Sequence, residues 1–155
     1  MIRVVTLDES LHDRYASYVD GRLDSRFGHD LPWARTLREA YGVETRHLVV
    51  LDDDRIVGVC PFFLCKPLVG GAHYVTNPFP TYCGPLYDSD EALSALLDAV
   101  KAKTAEVHHA EVLTPSALPA EGSASLPFVE ELDFTYVIDL TKGIDAVFNS
   151  LSRDY

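Results

Sequence analysis

Two stretches rich in β-branched and apolar residues, HLVVL and RIVGVC, flank a short run of aspartates in HLVVLDDDRIVGVC, and no other feature limits the fold so strongly. Clustered aspartates between such stretches are turn chemistry. Residues 46–51 and 55–69 are therefore expected to pair as an antiparallel hairpin. Gly70-Gly71 turns the chain again into a third β-like run, residues 72–76. Three consecutive antiparallel strands in a chain of 155 residues favour one core and one domain.

Helical patterns surround these strands. Residues 2–6 read as a strand, and Asp8 is placed to cap a helix through LHDRYASYVDGRL. Asp30 caps a second helix, Pro32 suits its first turn, and Gly42 closes it. Trp33, Leu37, Ala40 and Tyr41 recur on one face. Further on, Ser89 caps a helix whose Leu93, Leu96, Leu97 and Val100 follow the i, i+3, i+4, i+7 pattern, with Asp90 and Glu91 matched to its N-terminal dipole. Residues 110–113 read as a strand, PSALPAEGSASLP as a surface loop and FTYVIDL as one more strand. The expected class is α/β (α+β), a mixed, mainly antiparallel sheet flanked by helices.

The last segment places Ile144, Val147, Phe148, Leu151 and Tyr155 on one apolar stripe with no stop signal. This predicts a domain over residues 1–140, with residues 141–155 starting a helix that leads into a second half.

Charge and composition exclude several functions. Thirteen basic against 24 acidic residues give a net charge of -11, and no Lys or Arg lies between Pro67 and Val100. Nucleic-acid binding needs cations to neutralise phosphates, so direct contact with nucleic acid is not expected. The longest apolar run, residues 56–65, is too short to span a bilayer and contains Gly58 and Pro61. Acids near the N-terminus oppose a signal peptide, and a soluble, cytoplasmic protein is expected. Cys60, Cys65 and Cys83 form no CxxC pair and read as reduced thiols. The six histidines show no ligand spacing, so no metal site is expected. Cys83 has no base supplied to it by the sequence.

The connector NPFPTYCGPL holds three prolines and no charge. Its stiffness lowers the entropy lost on binding, so Phe79 and Tyr82 are candidate ring surfaces for a sugar or peptide substrate. The alternative is that they plug the opening between diverging strands. Gly84 allows a turn or a close backbone approach to a ligand. Trp33 reads as core, with ligand stacking the alternative. Lys66, at a strand end near this loop, is a candidate for an anionic group or a solvated lysine.

The order β, α, α, β, β, β, α resembles the GNAT acetyltransferase fold. That resemblance implies a loop after the fourth strand, Gln/Arg-x-x-Gly-x-Gly/Ala, whose amides hold coenzyme A pyrophosphate at a helix N-terminus. NPFPTYCGPL occupies that place. Its prolines lack N–H groups, and it has one glycine and neither Arg nor Lys. WARTLREAYG, HLVVLDDDRIVGVCPFFLCK, NPFPTYCGPLYD and YVIDLTKGIDAVFNSLSRDY together resemble the N-terminal half of FemAB-like proteins. That family has two GNAT-like halves and includes peptidoglycan bridge aminoacyltransferases, which use aminoacyl-tRNA as donor. The resemblance implies the substrate-side half of an acyl or aminoacyltransferase acting on an amine of a cell-envelope precursor or glycan. Its substrate-binding candidates are Phe79, Tyr82, Gly84, Trp33 and Lys66. It implies no cofactor held by these residues alone, with an aminoacyl-tRNA or acyl-CoA donor completed by a C-terminal GNAT-like half. The isolated 155 residues are then expected to be inactive, and no catalytic residue is assigned. The alternatives are an acetyl-CoA-dependent GNAT N-acetyltransferase, or a non-catalytic glycan-recognition or structural half.

Overall fold

A computed structural model describes residues 1–79, 82–115, 118 and 139–150. β1 (Ile2–Thr6) leads through a 3-10 turn, Glu9–Leu11, into α1 (His12–Asp20). Asp8 caps that turn, its carboxylate accepting from the Ser10 N–H at 2.9 Å. A second 3-10 turn, Phe27–His29, precedes α2 (Leu31–Tyr41), which Gly42 ends in the left-handed region at φ 67°. β2 (Glu44–Thr45), β3 (Leu48–Asp52), β4 (Arg55–Cys60), β5 (Phe63–Cys65), β6 (His73–Val75) and β7 (Leu86–Tyr87) follow. Then come α3 (Asp90–Thr104), β8 (His109–Glu111), a 3-10 turn at Leu140–Lys142 and α4 (Ile144–Ser150).

The strands form two four-stranded sheets, β1-β3-β4-β7 and β2-β5-β6-β8. All pairings are antiparallel except β6 with β8. Two of the crossings from one sheet to the other take only two residues: β2 to β3 through Arg46-His47, and β4 to β5 through Pro61-Phe62. Proline has no ladder donor, so the break falls at Pro61. The polar groups freed there are re-used. The Phe62 N–H donates to Nδ1 of His47 at 3.0 Å, and the Arg46 N–H donates to the Phe62 carbonyl at 2.6 Å.

Alternation along β3 sends Leu48 and Val50 to a core with Val57, Phe62, Tyr74 and the α3 residues Leu96 and Val100. Val49 and Leu51 go to the opposite face, against Tyr15 and Val19 of α1. α2 packs separately on the second sheet, with Ala34 and Leu37 against Phe63 and Val75.

The expected hairpin and the α3 stripe match this architecture. Several details differ. β5 stops at Cys65 rather than at 69, because Lys66-Pro67 breaks the ladder. Asp30 stands at the N-cap of α2 but makes no side-chain capping bond. That helix buries Ala34 and Leu37, whereas Ala40 and Tyr41 of the expected apolar face are exposed. Ile144 and Phe148 of α4 are 84% and 74% exposed. Most of PSALPAEGSASLP, residues 134–138 of the expected FTYVIDL strand, and Leu151 and Tyr155 lie outside the described residues, while Asp139 and Leu140 at the end of that expected strand cap and open the 3-10 turn instead. Among the described residues, no helix is long and apolar enough to cross a membrane.

The buried His47 gives the fold a pH dependence. Burial lowers its pKa from 6.5 to about 4, so the neutral ring is the folded form. The unfolded chain binds this proton first. Stability is therefore complete above the unfolded pKa, falls as pH drops through it, and levels off below about 4, a loss on the order of 3 kcal/mol. His29, also lowered by burial, acts with the same sign. Urea unfolding across this window should show the decline, and His47→Asn, which still offers an acceptor to the Phe62 N–H, should flatten much of it.

Candidate active site

The loop between β6 and β7 carries the chain from the second sheet back to the first, and the end of β8 and the residues just after it anchor both of its ends. The Thr76 N–H donates to the Glu111 carbonyl at 3.1 Å and the Cys83 N–H to the Leu113 carbonyl at 3.0 Å, while the Leu113 N–H donates to Thr76 Oγ1 at 3.0 Å. Between these anchors, Asn77 and Phe79 lie against side chains of α2. Asn77 is buried and its Oδ1 lies 3.4 Å from both the Trp33 indole nitrogen and the Phe79 amide nitrogen, which directs Phe79 toward that helix.

Four rings result, in contact one after the next: Phe27 with Trp33 at 5.0 Å between centroids, Trp33 with Phe79 at 5.9 Å, and Phe79 with Tyr41 at 5.3 Å. Phe27, Phe79 and Tyr41 are 49%, 37% and 65% exposed, so the strip is open to solvent. Contiguous exposed rings of this kind are what an aromatic-binding wall needs. Tyr41 also lines a neighbouring hollow of about 260 Å³ with Lys66, Glu44 and His73. Lys66 there is paired with Glu44, which Arg46 also holds at 2.7 Å.

The structure thus brings Trp33 and Phe79 into one strip and Lys66 into the hollow beside it. Tyr82 is placed differently: it is half-buried beneath the Arg26 guanidinium, 5.5 Å from its ring centroid. Gly84 is buried, and a Cβ there would lie 2.7 Å from Thr114 Cγ2 and 3.1 Å from the Leu113 carbonyl. The backbone it closely approaches is the chain's own.

Sequence reasoning missed His29. Its Nδ1 accepts from the Arg26 N–H at 3.0 Å, which puts the proton of the neutral ring on Nε2, and Nε2 donates to the Gly84 carbonyl at 2.9 Å. Cys83 Sγ lies 3.4 Å from the same Nδ1. A cysteine beside a histidine is the geometry of a nucleophile, yet here burial, reinforced by the Asp30 carboxylate, pushes the thiol up to about 12. Burial also lowers the His29 pKa. Both groups stay neutral, and the pair is a clamp on the loop rather than a thiolate centre. No sequence signal foretells it, since the partners stand 54 residues apart.

The segment entering α3 is not NPFPTYCGPL, as the sequence pattern suggested, but Asp88-Ser89-Asp90-Glu91 after the added strand β7. Ser89 Oγ accepts from the Ala92 N–H at 3.2 Å. Asp88 takes hydrogen bonds from Tyr18 at 3.0 Å and Arg22 at 2.8 Å, and Arg55 lies 3.8 Å from it. Three carboxylates therefore stand at this helix N-terminus, and nearby cations are directed at Asp88. Among the described residues, no group of His, Cys, Asp and Glu has the arrangement of a metal site.

No protein-family model and no curated protein matches the chain in sequence. Solved structures match it in fold. A ribosomal-protein-alanine N-acetyltransferase from Brucella melitensis biovar Abortus 2308 superposes with a TM-score of 0.56 at 16% identity, over 89% of this chain and 98% of that one. An acetyltransferase from Trypanosoma brucei gives 0.55 at 13% identity, over 88% and 99%. A transcriptional regulator from Bacillus halodurans C-125 gives 0.54 at 15% identity, over 88% and 100%. The chain has the GNAT acetyltransferase fold, with mainly antiparallel strands, here in two sheets rather than the single one expected, flanked by helices.

The clamp depends on Gly28, where an added Cβ would lie 2.7 Å from Cys83 Sγ and 3.1 Å from Cys83 Cβ. Gly28→Ala is expected to cost about 1–3 kcal/mol, as overpacking does. Cys83→Ala in the same chain should recover part of it, so chemical unfolding of the two single variants and the double variant should give a non-additive cycle.

Proposed function

We propose that this chain serves acyl transfer to an amine, with the aromatic strip over α2 receiving the acceptor. The observation that carries this reading is the fold, which it shares with a ribosomal-protein-alanine N-acetyltransferase. In such a reaction a neutral amine attacks the donor carbonyl, and the resulting oxyanion needs donors already in place. Phe79, Trp33 and Tyr41 would hold the apolar face of an acceptor, Lys66 would meet an anionic group beyond them, and Tyr82 and Gly84 would shape the loop behind. The fold alone hosts several activities, so the acceptor rests on these side chains and not on the architecture.

The likeness to acetyltransferases favours an acetyl donor, for which acetyl-CoA is the first reading. A second reading, FemAB-like acyl or aminoacyl transfer to a cell-envelope precursor, is favoured by one observation: Asp88 draws Arg22 and Arg55 to itself at the terminus where a pyrophosphate would seek amides and cations. Asp90 and Glu91 add like charge to that ligand. In this second reading residues 141–155 begin a helix into another GNAT-like half, and the exposed Ile144 and Phe148 are the stripe it would cover. Calorimetric titration with coenzyme A separates the two. Saturation at micromolar concentration selects acetyl-CoA, and its absence selects the donor held elsewhere.

Under either donor the strip makes the same prediction. Phe79→Ala should raise the acceptor KM about 2- to 10-fold, the worth of one ring contact. Because the ring is partly exposed, stability should fall by about 1 kcal/mol or less, far from the 3–5 kcal/mol of a deleted core aromatic. Steady-state kinetics over a panel of amino sugars and amine-bearing peptides, with thermal unfolding of the same variant, checks both. A large stability loss with unchanged KM would make Phe79 a plug and remove the strip from the site.

A further inference from the structure

On another face of α2 from the aromatic strip, a half-open cavity of about 290 Å³ lies between that helix, the start of α1 and the junction of β2 with β3. Its walls include Leu7, His12, Leu31, Arg35, Arg38 and His47. Leu31, Arg35 and Arg38 share one helical face by their i, i+4, i+7 spacing, whereas Trp33 and Tyr41 point elsewhere. Two arginines and two histidines line this cavity and no carboxylate does, in a chain whose net charge is -11. Neither arginine makes an ion pair among the described residues. Of the acids next in sequence to these wall residues, Asp8 accepts from the Ser10 amide and hydroxyl and Glu44 is held by Lys66 and Arg46, while Asp13, Asp30 and Glu39 form no ion pair with Arg35 or Arg38 among the described residues.

His47 supplies the second, independent observation. It is 2% exposed, and because its Nδ1 accepts from the Phe62 N–H, the neutral ring carries its proton on Nε2. That Nε2 is buried and has no hydrogen-bond partner among the described residues. An unpaired buried donor costs about 1–3 kcal/mol, a cost incurred here by a residue of the cavity wall.

We propose that this cavity binds the oxyanion group, carboxylate or phosphate, of a small molecule about the size of an amino acid, with Arg35 and Arg38 supplying charge and His47 Nε2–H fixing one oxygen. The site stands apart from the acyl-transfer reading. An occupant would join α1 and α2 to the point where the two sheets part.

The test titrates the chain with inorganic phosphate, with acetate and with chloride at constant ionic strength, following the side-chain N–H signals of His47, Arg35 and Arg38 by nuclear magnetic resonance. Saturable movement of all three signals by phosphate or by acetate, unmatched by chloride, is expected, and whichever anion binds more tightly names the ligand's headgroup. Arg35→Gln/Arg38→Gln changes only exposed positions of a folded helix and should weaken binding at least about tenfold, the worth of one charge-assisted hydrogen bond. His47→Asn keeps the Phe62 contact, removes the Nε2 donor and should also weaken it. Absence of saturation with both oxyanions, equal response to chloride, or unchanged affinity in the double glutamine variant would each overturn the proposal.

Discussion

Where the two sheets part, the backbone of Phe62 can no longer find a ladder partner on both sides, and the imidazole of His47 takes the place of one. A side chain that substitutes for a strand carbonyl is unusual in its consequences. It lets both crossing stretches, β2 to β3 and β4 to β5, bend at the same level without leaving the Phe62 N–H unpaired in a dry interior. Pro61 marks the spot from the other strand, since it has no proton to donate. Tyr15 stacks on the His47 ring at 6.0 Å and Phe63 meets it edge-on at 4.9 Å, so the residue that bridges the sheets also joins α1 to the second sheet.

The loop over α2 follows from that divergence. β6 belongs to one sheet and β7 to the other, so residues 76–85, nearly all of them from NPFPTYCGPL, connect the two. A flexible chain would lose more entropy in doing so than one stiffened by three prolines. Its ends are fixed by polar contacts: Thr76 and Cys83 on the chain around and after β8, and Gly84 on His29. Its outer part, directed by Asn77, lays Phe79 across Trp33 and Tyr41. Buried anchorage and exposed rings coexist in one segment, so the choice between packing and binding divides residue by residue: Cys83 and Gly84 pack, Phe79 is presented to solvent, and Tyr82 lies in between beneath Arg26.

Much of this was legible beforehand, where the signal is local. The aspartate turn between β3 and β4, the glycine that ends α2, and the leucine stripe of α3 with Ser89 as its cap are each set by residues within one or two turns of one another. What escaped depends on pairs far apart in the chain. His29 finds Gly84 across 55 residues and His47 finds Phe62 across 15, and neither histidine is marked by its neighbours. The face of α2 was misjudged for a related reason. Trp33 and Tyr41 look like core on periodicity alone; the second sheet takes up Ala34 and Leu37 with Trp33 packed partly buried beside them, and Tyr41 is left exposed against the loop's Phe79. β7 was absorbed into the loop because two residues carry too little pattern to register as a strand.

The same fold therefore directs attention to two places of opposite character. At the N-terminus of α3, where backbone amides would welcome an anion, the chain has placed Asp88, Asp90 and Glu91 and has let Asp88 engage Arg22. Beside His47, on the wall of a half-open cavity, stand two exposed arginines without a carboxylate partner and a buried donor without an acceptor among the described residues. Arg3, Arg14 and Arg26 are likewise without an ion pair among the described residues, so what sets Arg35 and Arg38 apart is their place together on the wall of one cavity. Charge has been spent at the terminus that normally attracts anions and withheld at the cavity, so the distribution of carboxylates, more than the fold that carries them, indicates where a negatively charged group is turned away and where one is received.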